Sequence, residues 1–254
     1  MMRLIRFELY KQLKRKENLM ILFMFVLPLF YSMGVWSHSE IITYTSTELI
    51  SGLSFADNMY TLVYMVFIIF LFLAINSATT LKGEIENNSL SMMLTRVNKR
   101  SRIYYAKFYA QSFSWGIVSF AFVLFSIACY YLFLSKMAIA TGTVVGENWL
   151  NNLLIIIGIG SFYILGISLV QCLSMYFKSY VSVGVFILFY AIGLYLKSFT
   201  LFQPFVPVHY LYKLIDSGSI MDFLRFMALN WGMVYVFNWV GNRKFKRSDI
   251  GNEN

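Results

Sequence analysis

The chain has 254 residues, of which 59% are hydrophobic and only 13% charged, whereas soluble domains carry about 45–50% apolar and about 25% charged residues. That balance excludes a soluble enzyme or binding module and implies an integral membrane protein, with room for about six spans and none for a large soluble domain. The net charge of +9 would point to nucleic acid in a soluble chain, but here the basic residues cluster at the ends of apolar runs, so no nucleic-acid partner is expected.

Residues 1–18, MMRLIRFELYKQLKRKEN, are expected to stay on the chain, because the basic region is long and no small-residue cleavage site follows the next apolar run. Met2, Ile5, Leu9 and Leu13 form an apolar stripe, with Arg3, Arg6, Lys11, Lys14 and Arg15 around the other side. This predicts an interfacial helix on an anionic inner leaflet, attracted by about 1 kcal/mol per basic residue.

Six spans are predicted, at 19–36, 59–81, 108–134, 153–177, 181–196 and 223–240, in one all-α domain covering 1–254. Pro28 is expected to bend the first. Residues 37–58 read as an outer loop without Lys or Arg, 197–222 as an irregular outer loop, and Lys178–Tyr180 as a tight turn between spans four and five. Cys129 and Cys172 lie inside apolar runs and read as buried thiols, with no disulfide framework or metal site implied. The N-terminal segment, the 82–107 stretch, the Lys178 turn and the tail together carry 17 Lys and Arg, against three in the opposite loops. The asymmetry puts both termini and 82–107 in the cytoplasm.

The 82–107 stretch is the longest polar interval between apolar runs. Glu84, Asn88, Ser91 and Thr95 share one helical face, and Ile85, Met92 and Met93 lie on another, which predicts a short amphipathic helix. The order Glu84, Ser89–Leu90, Leu94–Thr95, Arg100 resembles the cytoplasmic loop of ABC-2-type permeases, although Asn88 stands where that pattern has Gly and Val97 where it has Pro. The basic N-terminal helix, the six spans and the Pro-bearing segment before the last span are similar to the same family.

The resemblance implies the membrane subunit of a bacterial ABC exporter in the plasma membrane, with Glu84, Asn88, Ser89, Leu90, Met93, Leu94 and Arg100 forming the coupling interface to a cytoplasmic ATPase. It further implies two ATPase copies holding ATP and Mg, no cofactor in this chain, and a second permease chain in a homodimer or paralogous heterodimer. No G-x-x-x-x-G-K-[ST], G-x-S-x-G or H-E-x-x-H motif occurs in the sequence, so ATP hydrolysis is assigned to the partner.

Asn76, Thr79, Gln111 and Gln171 are the polar candidates for a translocation path, with interhelical hydrogen bonding as their alternative role. Ionisable groups and helix breaks near mid-span, common in ion-coupled carriers, are not expected. A 19% aromatic content favours membrane lipid and an amphipathic peptide or lipid-like substrate over a sugar or ion. A non-transporting anchor or sensor for a cytoplasmic partner, or an intramembrane enzyme, stands as the alternative. With the orientation above, a cysteine introduced as Ser46→Cys is labelled by an impermeant thiol reagent from outside intact cells; labelling only after permeabilisation would reverse the assignment.

Overall fold

The computed structural model describes residues 1–15, 22–37, 49–87, 89–90, 97 and 99–248, and these are helical, with no β-strand among them. An all-helical answer follows from the solvent: a bilayer core offers no hydrogen-bond partners, so each apolar segment must satisfy its backbone internally. The helices are α1 (Met2–Leu13), α2 (Val26–Trp36), α3 (Gly52–Met65), α4 (Ile68–Ala78), α5 (Arg100–Cys129), α6 (Trp149–Leu173), α7 (Ser179–Leu196), α8 (Pro207–Ser217) and α9 (Ile220–Arg247).

Five segments are long and apolar enough to cross a membrane: Ile68–Glu86, Arg100–Leu134, Trp149–Leu173, Ser179–Leu196 and Ile220–Arg247. The chain is thus an all-helical protein whose composition and helix lengths suit a multi-pass membrane protein. The segment expected at 19–36 is described as a 3₁₀ turn, Leu22–Phe25, leading into α2. Its apolar helix, Phe23–Trp36, is shorter than the about 20 residues a span requires. Pro28 falls in the first turn of α2, where its missing N–H has no intrahelical acceptor to lose.

The largest departure from expectation is at 59–81. Instead of one span, the chain forms α3, breaks at Val66, which is extended (φ −78°, ψ 95°), and resumes as α4. Neither Gly nor Pro marks the break. Phe67 lies against Tyr190 (ring centroids 5.2 Å apart) and Phe70 (6.4 Å). So a broken helix is present where none was expected. Two loops were also drawn too long, because both contain helix: α3 begins at Gly52, inside 37–58, and α8 lies within 197–222. Ser51 caps α3 by accepting from Ser54 N–H at 3.2 Å. Gly218, at φ 62°, closes α8 in the left-handed conformation that favours glycine.

α6 is the central helix, packing on α3, α4, α5, α7, α8 and α9. Its contact with α9 is close because small and amide residues face each other. Asn230 Nδ2 donates to Ser161 O at 2.9 Å, and Asn238 Nδ2 to Ser168 Oγ at 3.0 Å. In an apolar medium such pairs join helices that gain nothing from burying more hydrocarbon. An aromatic core fills the space between α3, α4, α5 and α6: Tyr163 sits 4.7 Å from Phe70 and 4.8 Å from Trp115 between centroids, and Tyr60 donates to Ser119 Oγ at 2.8 Å.

Contacts gather the basic termini and the 82–107 stretch at one end of the bundle. Tyr104 packs on Phe245, Arg100 Nη1 donates to Ser248 O at 2.6 Å, and Glu86 reaches Ser179. At the other end, residues 50–53 pair with 139–144 through backbone bonds such as Gly52 N–H to Thr143 O at 3.0 Å. At the end that gathers the termini, Gly241 lets α9 approach closely: a Cβ on it would press against Tyr104 Oη and lie 3.1 Å from Cys172 Cα. Gly241→Ala is therefore expected to destabilise the protein by about 1–3 kcal/mol. Gly232→Ala on the same helix, where nothing lies within 4 Å, should be neutral or stabilise by up to about 1 kcal/mol. Thermal unfolding of both variants in detergent checks the contrast.

Candidate functional site

At the end of the bundle that gathers the basic termini, a set of charged side chains is buried. Its centre is Lys107, two turns into α5, whose side chain is 0% exposed. A buried ammonium is tolerable only if paired and hydrogen-bonded. Lys107 Nζ donates to Glu84 Oε2 at 2.6 Å and to Glu8 Oε2 at 3.1 Å. Glu84 Oε1 accepts in turn from Lys11 Nζ at 2.6 Å and from Arg15 Nη2 at 3.1 Å. Two carboxylates thus face three cations contributed by α1, α5 and the residues after α4.

Local sequence explains how each group arrives. Leu4, Glu8 and Lys11 on α1, and Arg15 just beyond its end, recur at helical spacing and turn towards the bundle, with Glu8 and Gln12 buried. The apolar stripe expected to meet lipid is divided. Met2 and Leu13 are exposed, as are Phe7 and Tyr10, while Ile5 and Leu9 are half-buried. Of the five basic residues expected at the membrane surface, Arg3, Arg6 and Lys14 face outward and Lys11 and Arg15 turn in to Glu84.

After α4 the helix widens into a π-turn, Thr79–Gly83, followed by the single turn Glu84–Glu86. Thr79 Oγ1 donates to Ile75 O and Thr80 Oγ1 to Asn76 O, at 2.9 and 2.6 Å, a side-chain back-bond that loosens the helical ladder. Arg15 Nη1 also donates to Thr80 Oγ1 at 3.1 Å.

A third carboxylate extends the network. Glu86 accepts from Ser179 N–H at 3.1 Å and Ser179 Oγ at 2.8 Å, placing negative charge at the N-terminus of α7, where the helix dipole favours it. Ser89 Oγ donates to Glu84 O at 3.3 Å. Leu90 is fully buried in a small apolar cluster with Leu81, Ile103, Tyr104, Met175 and Phe245. The 84–90 segment is therefore tied to α1, α5 and α7 at once. Asn88, Met93 and Leu94, expected beside Glu84, lie outside the described residues.

The path candidates take up partners within the chain. Gln111 Nε2 donates to Ser77 Oγ, Gln171 Nε2 donates to Tyr104 O at 3.1 Å, and Asn76 O accepts from Thr80. Asn76 and Gln111, with Gln12, Ser114 and Trp115, border a void of about 10 Å³, about the space of one water molecule. Gln171 lies nearer Tyr104, apart from that void.

Sequence inspection missed Glu8, Asp57 and Lys107 as interior ionisable groups, although all three are buried. Asp57 lies in α3, and its Oδ1 has no hydrogen-bond partner among the described residues. Asn230, Asn238 and Asn242 of α9 were also overlooked, and all three are buried. Among the described residues no group of three or more His, Cys, Asp and Glu is placed to hold a metal ion. No family model, curated protein or solved structure matches the chain.

Because Lys107 is wholly buried and Lys11 is 37% exposed, their substitutions should differ sharply. Lys107→Met is expected to cost about 3–5 kcal/mol by leaving Glu8 and part of Glu84 uncompensated. Lys11→Met should cost about 1 kcal/mol or less. Adding Glu8→Gln to Lys107→Met should recover part of the loss. Unfolding midpoints in detergent give all three values.

Proposed function

We propose that this chain is the membrane subunit of an ATP-driven ABC exporter of hydrophobic or amphipathic molecules, peptides foremost, powered by a separate cytoplasmic ATPase. The observation that carries this is the attachment of the 84–90 segment. Glu84 joins it to α1 and α5, and Glu86 joins it to α7. A cytoplasmic partner that displaces this segment moves three helices together, without needing contact with any span. That is the mechanical requirement for coupling ATP hydrolysis to rearrangement of a helical bundle.

The substrate class draws support from a cavity of about 370 Å³ between α4, α6, α7 and α9. Phe70, Phe162, Phe186, Tyr190, Phe202 and Phe237 are among its walls, and no charged side chain lines it. Such a space takes up hydrocarbon or aromatic groups and excludes sugars and ions, which need polar partners. Six or fewer helices enclose little room for a peptide, so two permease chains with two ATPase subunits form the working assembly in this proposal, located in the bacterial plasma membrane.

Purification of the tagged chain in gentle detergent is expected to retain a P-loop ATPase whose turnover rises with amphipathic peptide. Glu86→Ala, which frees α7 while leaving the Glu84 cluster intact, should keep the ATPase bound but lower peptide-stimulated turnover about tenfold. A chain that emerges alone, with no nucleotide-dependent activity in its complex, would replace the exporter with the membrane anchor.

A further inference from the structure

The inner end of α9 carries a second charged site, separate from the Glu84 cluster and of one sign only. Arg243, Lys244 and Arg247 border an open cavity of about 280 Å³ together with Trp239, Val240 and Tyr176. Among the described residues no acidic side chain lines it, and none of the three cations forms a salt bridge. Two of the cations rest on aromatic faces: the Arg243 guanidinium is 5.5 Å from the Trp239 ring centroid, and Lys244 Nζ is 5.6 Å from that of Tyr176. Stacking holds the cations in place and leaves their N–H donors to a ligand.

The helix below the cavity continues the site. Gly232, Val236, Trp239 and Arg243 succeed one another at spacings of four, three and four residues, on one face of α9. Val236 and Trp239 are about half exposed, and nothing lies within 4 Å of a Cβ at Gly232. A cationic cup at the membrane edge therefore opens onto an unoccupied apolar strip that leads into the bilayer. Charges needed only for orientation would have no reason to enclose a cavity or to sit over an apolar track.

We propose that this cup binds the phosphate of an anionic phospholipid of the inner leaflet, with an acyl chain lying along Trp239, Val236 and Gly232. Arginine forks match phosphate oxygens bidentately, and Lys244 adds a point charge. Trp239 and Tyr176 belong at headgroup depth, where aromatic rings with polar edges collect. A soluble phosphate would use the same cations but would gain nothing from the apolar strip, so the strip favours the membrane-borne source.

The test uses the full chain purified in neutral detergent, titrated with short-chain phosphatidylglycerol, short-chain phosphatidylcholine or inorganic phosphate, with adducts counted by native mass spectrometry. Phosphatidylglycerol should half-saturate one site per chain at a concentration about tenfold below phosphatidylcholine. Removing three charges as Arg243→Gln, Lys244→Gln and Arg247→Gln should raise that concentration about tenfold, whereas Arg3→Gln, Arg6→Gln and Lys14→Gln on α1 should change it by less than about twofold. Equal affinity for the two lipids, or equal loss in both triple variants, overturns the site in favour of diffuse attraction. Displacement of phosphatidylglycerol by inorganic phosphate at a similar concentration overturns the lipid source in favour of a soluble phosphate. If the α9 variant does not fold, the comparison of lipids on the unaltered chain still decides.

Discussion

A lysine side chain with no access to solvent constrains the whole end of the bundle at which the basic termini gather. Lys107 is buried and within reach of two carboxylates; a buried charge left without its partner costs about 3–5 kcal/mol, a large share of a fold's net stability. Glu8 must therefore come from α1 and Glu84 from the turn after α4, and both elements take their positions from that need. Glu84 then lies beside Lys11 and Arg15, which anchor the same helix a second time. Deleting one member leaves the others unmatched, so the cluster is held together by the cost of breaking it more than by any gain from forming it.

The rest of the bundle is joined by weaker and more numerous means. α6 and α9 meet through serine and asparagine hydrogen bonds and through glycines that let backbones approach. α3, α4, α5 and α6 share an aromatic core. α7 stands apart, with most of its surface outside the bundle and its N-terminus held by Glu86. The apolar cavity lies directly beside it.

Much of the plan was legible in one dimension. Long apolar runs locate α6 and α7 to within about four residues and overlap the greater part of α4, α5 and α9, because hydrocarbon length and backbone satisfaction leave few alternatives. Boundaries were less legible. Spans at 59–81 and 108–134 stop short of Asp57, Glu84 and Lys107, since hydropathy treats each charge as the end of a membrane segment. A charge that is paired inside the bundle looks identical in sequence to one that flanks it. The break at Val66 carries no Gly or Pro, and only the ring packing of Phe67 distinguishes it. α1 shows the same ambiguity: its apolar and basic stripes were readable, but which face meets the bundle was not.

By itself the sequence determined the class, the helical content, the long apolar helices and the grouping of basic segments at one end, because these follow from composition, segment length and charge asymmetry, which are local or additive. Only the tertiary structure decided that Lys11, Arg15 and Lys107 converge on Glu84, that Glu86 caps α7, and that Arg243, Lys244 and Arg247 remain unpaired among the described residues. Those outcomes depend on which of several available charges come within 3 Å of one another. Residues separated by 23 to 93 positions along the chain meet only after the helices have packed, and no one-dimensional pattern records the distance between them.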